Sequence, residues 1–230
     1  YAGRQPKGIW RNTILLTADD GDNGIHMEDI EKMAHSVERV DNGSHSFFKK
    51  VYIDEFELIG GQYPDARTRF YRHLDEGAML WVYQGHAAPS SLTAENLVNY
   101  RDLNQFYIRH WPFVMAFTCD FMRWDSPVVS GAELLFNNPS GGVVAAMSAT
   151  RPVYITENGH LSRSFGRELL KRDDNGMIRT IGEIYREAKN GYSALDDTDT
   201  FPPAPTANSN KLRYVLLADP AMRLAIPSYN

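Results

Sequence analysis

The sequence predicts an α/β fold, a three-layer α/β/α sandwich around a mostly parallel sheet, in a single domain over residues 1–230. Three observations carry this. Apolar, β-branched and aromatic runs of strand length recur along the chain, helix-period stretches separate them, and the runs are apolar almost throughout. Strands of that kind are buried on both faces, and their alternation with helices implies a parallel sheet covered on both sides.

Thr13–Ala18 (TILLTA) reads as the first buried strand, followed by the polar turn Asp19–Gly24 (DDGDNG). Met27–Val40 places Met27, Ile30, Met33, Ala34 and Val37 near one helical face, as an amphipathic helix requires. Val51–Asp54 is a short second strand. Pro64–Glu76 has proline in its first turn and stops before Gly77, so it reads as a helix. Ala78–Gly85 is the third strand, Leu92–Phe106 a helix, Phe113–Thr118 the fourth strand and Gly131–Phe136 a further helix. Val143–Ala149 is the fifth strand, with helices around His160–Lys171 and Thr180–Asn190. Asp196–Asn210 is acidic, Pro-rich and aperiodic, and reads as a long loop or flap. Leu212–Ala218 is a last strand, stopped by Asp219–Pro220.

The 230 residues, 43% hydrophobic and 23% charged, are ordinary for a globular chain and exclude wholesale disorder. A net charge of −5 without a Lys/Arg stripe argues against a nucleic-acid partner. No apolar run reaches membrane-spanning length, and no signal peptide is visible. The chain opens on Tyr1 without methionine, in what reads as an entry loop, so it is taken as a segment of a longer protein.

The chemistry concentrates in two apolar runs. Trp111–Cys119 (WPFVMAFTC) closes on the chain's one cysteine, and Ala78–His86 (AMLWVYQGH) closes on a histidine. Neighbouring parallel strands deliver their carboxyl-end residues to a shared edge, so these strands, if adjacent, set a thiol beside an imidazole. One cysteine makes neither an internal disulfide nor a thiolate zinc site. A lone cysteine is more often a small buried hydrophobe than a nucleophile. The pairing favours catalysis: a thiolate attacks carbonyl carbon, and His86 supplies the base that generates it and the acid for the leaving amine. Gly85 allows a tight exit before His86, and Ala87 and Ala88 leave room for a substrate backbone. The Ala87 and Cys119 N–H groups are candidates for an oxyanion hole. His26, His35, His45, His73, His110 and His160 are assigned surface or capping roles, and no metal site is expected from them. In the Asp19–Gly24 turn a carboxylate could orient His86 as the third member of a triad. Ordinary turn chemistry is an equal alternative. Calcium ranks behind both, because Gly24 falls where an EF-hand loop needs a ligand. No other cofactor is expected.

In their order, Gly21–Gly24 (GDNG), Tyr83–His86 (YQGH), Phe117–Asp120 (FTCD), Val143–Thr150 (VVAAMSAT) and Ala218–Met222 (ADPAM) resemble the gingipain family of caspase-like cysteine peptidases over nearly the whole chain. Trp10–Asp20, Cys119–Asp125, Ser130–Glu133, Ala149–Tyr154 and Lys211–Leu224 look closer to one branch, the PorU-type sortases of the type IX secretion system. The resemblance implies a Cys119 nucleophile, a His86 acid/base and a third member at Asp20, with Asp19 beside it. It places Gln84, Phe117 and Tyr154 in the substrate pocket. It further implies removal of C-terminal sorting domains from secreted proteins, transfer of the new carboxyl end to a surface lipopolysaccharide amine, outer-membrane secretion partners and action at the cell surface. Two positions depart from the pattern. Ala87 replaces the Gly that usually follows the catalytic His, and the acidic residue behind arginine preference falls near Met27, so cleavage after Arg is not implied. The family's N-terminal subdomain and its following immunoglobulin-like domain are not represented in these residues.

Overall fold

The computed structural model describes residues 7–41, 46–191 and 209–227. Strand β1 (Thr13–Ala18) is buried along its whole length, which is why TILLTA shows no polar alternation. Its threonines are satisfied inside the protein. Thr13 Oγ1 donates to the Ile9 carbonyl at 3.0 Å, while Thr17 Oγ1 donates to the Val82 carbonyl at 3.0 Å and accepts the Trp81 indole N–H at 3.0 Å. Burying them therefore leaves no unpaired hydroxyl.

The chain continues through α1 (Ile25–Val40), β2 (Phe47–Tyr52), α2 (Pro64–Glu76) and β3 (Leu80–Gln84). A small hairpin, β4 (Ala87–Ala88) with β5 (Ser91–Leu92), leads to α3 (Tyr100–Gln105), β6 (Phe113–Phe117), α4 (Gly131–Phe136) and β7 (Ala145–Ala149). The described chain closes with α5 (Ile155–Glu168), α6 (Ile181–Gly191), α7 (Ser209–Arg213) and β8 (Tyr214–Leu217). None of the described helices is long and apolar enough to cross a membrane.

The main sheet runs β2-β1-β3-β6-β7-β8. Its pairings are parallel except at the edge, where β8 is antiparallel to β7. One core lies between the sheet and α1, α5 and α6, built on Ile30, Met33, Leu161, Phe165 and Ile184. The other lies under α2, α3 and α4, with Phe70, Leu74, Leu103 and Leu135. The expected three-layer sandwich is therefore present. The strand order changes direction between β1 and β3, with β2 outside β1 and all later strands beyond β3. Such a switch point opens a crevice at the strands' carboxyl ends. The residues leaving β1 and β3 there are the Asp19–Gly24 turn and Gly85–His86.

Element bounds differ from expectation where packing outweighs pattern. The second strand occupies Phe47–Tyr52 rather than Val51–Asp54, because it pairs residue for residue with β1 from Thr13↔Phe47 to Ala18↔Tyr52. As an edge strand it tolerates Lys49 and Lys50. The Leu92–Phe106 helix shrinks to α3, since Leu92 and Val98 form a bridge and Asn99 caps the helix start. Asn99 Oδ1 accepts the N–H groups of Arg101 and Asp102 at 3.0 and 3.2 Å. The helix expected at His160–Lys171 begins earlier, at Ile155. Of the Asp196–Asn210 loop, residues 196–208 lie outside the described residues. Its final two residues belong to α7, where buried Asn210 ties the chain back to α5. Asn210 Nδ2 donates to the Tyr154 carbonyl at 2.8 Å and to Asn158 Oδ1 at 2.9 Å.

Candidate active site

β3 and β6 are parallel neighbours whose last paired residues are Gln84 and Phe117. His86 and Cys119 each follow two residues later, and the Gly85 N–H still reaches the Phe117 carbonyl at 3.4 Å. Strands so paired lie about 4.8 Å apart, so imidazole and thiol leave the sheet at the same edge. Gly85 is required there by close approach. A Cβ on it would come 2.2 Å from Asp19 Cβ and 2.7 Å from the Tyr83 hydroxyl. The His86 backbone is held on both sides. Its N–H donates to Asp19 Oδ2 at 2.9 Å, and its carbonyl accepts the Thr93 N–H at 3.1 Å and the Tyr83 hydroxyl. Its side chain is 56% exposed, open to a substrate.

The carboxylate that meets the imidazole is Asp22, not Asp20. Asp22 Oδ2 lies 2.6 Å from His86 Nε2, whereas Asp20 Oδ2 accepts the Tyr63 hydroxyl at 2.8 Å. The cause is the turn's backbone. Gly21, Asp22, Asn23 and Gly24 all have positive φ, at 80°, 44°, 57° and 77°, and this left-handed run carries Asp22 back over the edge of β1. The hydrogen bond from His86 is the main cause holding the Asp22 carboxyl below the usual carboxylate range. The same oxygen lies 3.1 Å from Nε2 of His26. His26 was expected at the surface but is only 3% exposed, and its ring meets that of His86 edge-on at 5.1 Å. Burial, then the neighbouring His86 charge, push the His26 imidazole below its ordinary value. His160, also expected at the surface, is likewise buried within α5, and half-buried His110 stacks on Trp10 at 4.8 Å.

Cys119 Sγ accepts the Val153 N–H at 3.3 Å and faces the Val153 carbonyl at 3.7 Å. No sequence signal marked Val153, because the contact is made by its backbone from the loop before α5. Of the residues assigned to the substrate pocket, Tyr154 is open at the start of α5, with the Arg213 guanidinium 5.4 Å over its ring. Phe117 does not line an open pocket. Its side chain faces the core on the α5 side of the sheet, against Phe165 and Tyr214. Gln84 is fully buried, and neither atom of its amide makes a hydrogen bond. The Ala87 and Cys119 N–H groups assigned to the oxyanion hole follow the paired ends of β3 and β6, Ala87 opening the hairpin β4–β5.

Two groups among the described residues have the spacing to hold a metal ion. They are Asp22, His26 and His86, and Asp19, Asp20 and Glu95; in each the ligand atoms lie within 4.8 Å of one another. A cavity of about 810 Å³ lies elsewhere, between α2 and the segment around α3, and contains neither Cys119 nor His86.

A thiol and an Asp-held imidazole on adjacent strand ends, at the switch point of a mostly parallel sheet, define the gingipain-like class of cysteine peptidases. Residues 1–225 match the model of peptidase family C25, and the chain belongs to that family. No curated protein sequence matches it. Its fold is similar to that of the Arg-specific cysteine proteinase gingipain R (RgpB), with a TM-score of 0.70 at 14% identity over 94% of this chain and 48% of that one. A further protease structure matches with a TM-score of 0.75 at 13% identity, over 97% of this chain and 50% of that one. The complex of Porphyromonas gingivalis RgpB pro- and mature domains matches with a TM-score of 0.67 at 16% identity, over 94% and 49%. The chain spans about half the length of these solved structures.

Proposed function

We propose that this protein is a cysteine peptidase in which Cys119 is the nucleophile and His86 the acid/base, oriented by Asp22. The observation that carries this is the 2.6 Å contact between His86 Nε2 and Asp22 Oδ2, one strand over from the thiol. An ionised Asp22 accepts a hydrogen bond from the Nε2–H and so fixes the tautomer, leaving Nδ1 to exchange a proton with Cys119 and substrate. The thiolate adds to the scissile carbonyl, the oxyanion meets the Ala87 and Cys119 N–H groups, and imidazolium protonates the departing amine. Water or an amine then attacks the thioester and returns the thiol. Tyr154, open at the start of α5, is the pocket residue in this reading; Gln84 lies fully buried behind the sheet edge.

The finer reading is a sorting peptidase that removes C-terminal sorting domains of secreted proteins at the cell surface. It can join the new carboxyl end to a lipopolysaccharide amine, and it works beside outer-membrane secretion partners. Its support is the PorU-type pattern of Cys119–Asp125, Ala149–Tyr154 and Lys211–Leu224. Two measurements test the proposal. Cys119 should react with iodoacetamide faster than a model thiol near neutral pH, and His86→Ala should slow it sharply. Reaction at the rate of a model thiol means a silent binding module instead. Incubating the full-length protein with secreted substrates, then weighing their C-termini, reads the finer step. A cut with an added amine supports transpeptidation, a cut with water supports hydrolysis, and intact C-termini remove the sorting role.

A further inference from the structure

The loop that follows β7 touches the thiol at its centre and one guanidinium on either side of that contact. The Val153 N–H meets Cys119 Sγ at 3.3 Å. Before it, the Pro152 carbonyl accepts a hydrogen bond from Arg213 Nη1. After it, the Arg213 guanidinium lies 5.4 Å over the Tyr154 ring. Asn210 braces the loop from behind. Its Oδ1 accepts the Tyr154 N–H at 3.0 Å, its Nδ2 donates to the Tyr154 carbonyl at 2.8 Å, and the side chain is fully buried. Tyr154 itself stays 59% exposed, so its ring and the guanidinium over it form an open surface one residue from the sulfur contact.

The charge of this surface is one-sided. Arg213 makes no ion pair with a carboxylate among the described residues. Neither does Lys211 on the same short helix, nor Lys189 on α6, which donates to the Tyr185 hydroxyl at 2.7 Å and the Tyr214 carbonyl at 2.9 Å. Burial first, then the Lys211 charge, push the Lys189 ammonium down to about 8. The acids that adjoin the loop are already engaged. Asp125 is held by Arg151 Nη2 at 2.9 Å and Arg123 Nε at 3.3 Å, and buried Glu157 accepts the Asn210 N–H at 3.0 Å. The His86 side of the site has the opposite sign, through Asp19, Asp20, Asp22 and Glu95. In a chain of net charge −5, three cations without an acid on the thiol side attract an anionic ligand.

We infer that Arg213, with Tyr154 beneath it, is a specificity residue that takes an acidic side chain of the peptide substrate, Asp or Glu, close to the scissile bond. The inference rests on the peptidase reading of Cys119 and adds a substrate class to it. The guanidinium donates from Nη1 to Pro152, and its Nε and Nη2 N–H groups make no hydrogen bond among the described residues. They can meet both oxygens of a carboxylate in the forked geometry that arginine favours. The Tyr154 ring supplies an apolar floor for the methylene groups of the bound side chain. A Lys or Arg in the same place meets like charge, which disfavours it.

Full-length protein and internally quenched peptides test this, with Glu, Gln and Lys walked through the residues on either side of the cut. At one position kcat/KM should be about tenfold or more higher for Glu than for Gln, and lowest for Lys. Arg213→Gln should reduce that Glu-to-Gln ratio to about threefold or less, and Arg213→Lys, which keeps the charge, should fall between. The readout is a ratio, so a general loss from the missing Pro152 contact cancels. No position with Glu ahead of Gln, or a preference that survives Arg213→Gln, overturns the inference and leaves the peptidase reading standing. If no peptide is cut, the rates at which iodoacetate and iodoacetamide alkylate Cys119 decide. Arg213→Gln should lower the iodoacetate-to-iodoacetamide ratio by about threefold, and an unchanged ratio overturns the subsite whether or not Cys119 is catalytic.

Discussion

Asp22 Oδ2 lies 2.6 Å from His86 Nε2, joining the turn after β1 to the residue that ends β3. His26 approaches the same oxygen at 3.1 Å, so two imidazoles converge on one carboxylate. Orientation of the acid/base thus depends on a short turn whose backbone is left-handed at four successive residues.

Replacing Asp22 with asparagine keeps the shape and removes the charge that stabilises imidazolium. We expect kcat/KM to fall by about 10²-fold or more, mostly in kcat. Steady-state kinetics on a protein substrate reads this, and a loss under about threefold would assign the orienting role elsewhere.

His26 gives a pH signature. Its folded pKa is depressed below the ordinary 6.5 by burial first, so the unfolded chain binds the proton more readily. The stability tied to neutral His26 is present above pH 6.5 and is lost as pH falls through the lower folded value. Urea unfolding at pH 7.5 and pH 5 should show a smaller acid loss in His26→Gln than in wild type. Equal losses would show that His26 titrates like an exposed imidazole.

Gly85→Ala forces a Cβ to within 2.2 Å of Asp19 Cβ. Neither partner can retreat, since Asp19 holds the His86 N–H. The change should cost about 1–3 kcal/mol and lower both stability and activity. Melting and kinetics together check it, and an unperturbed variant would show the β3 exit to be looser than its contacts imply.

Where α1 crosses α5, Asp29 Oδ2 is buried without a hydrogen bond, and a Cβ on Gly159 would meet that carboxylate at 2.3 Å. Burial raises the Asp29 carboxyl to about 6. Because that folded value lies above the unfolded 3.8, stability is lost as pH rises from about 4 to 6. Asp29→Asn should therefore stabilise the protein by on the order of 1–3 kcal/mol at pH 7.5 and by little at pH 4. Denaturant titration at both pH values measures the difference, and a destabilised variant at pH 7.5 contradicts the sign. Gly159→Ala should destabilise at either pH.

How much was legible follows from the range of each interaction. TILLTA, AMLWVYQ and PFVMAFT betray buried strands because burial on both faces is written into consecutive residues. Their order, with Cys119 and His86 at two strand exits, carried the site pair. The Leu92–Phe106 segment misled because its apolar spacing serves a bridge between Leu92 and Val98 rather than a helix. Phe117 misled because adjacency to Cys119 says nothing of which sheet face a strand residue takes.

The chain's own pattern determined the three layers, the mostly parallel sheet and the placing of thiol and imidazole at two strand exits, all of which rest on local periodicity; the pairing of β3 with β6 that brings those exits together belongs to the tertiary structure. Only the tertiary structure decided which acid faces His86. Asp19, Asp20 and Asp22 are equivalent as letters in one turn. The left-handed backbone sends Asp22 to the imidazole, while the edge of β1 turns Asp19 and Asp20 toward Glu95. That partner is distant in sequence, so no spacing rule along the chain could have joined them.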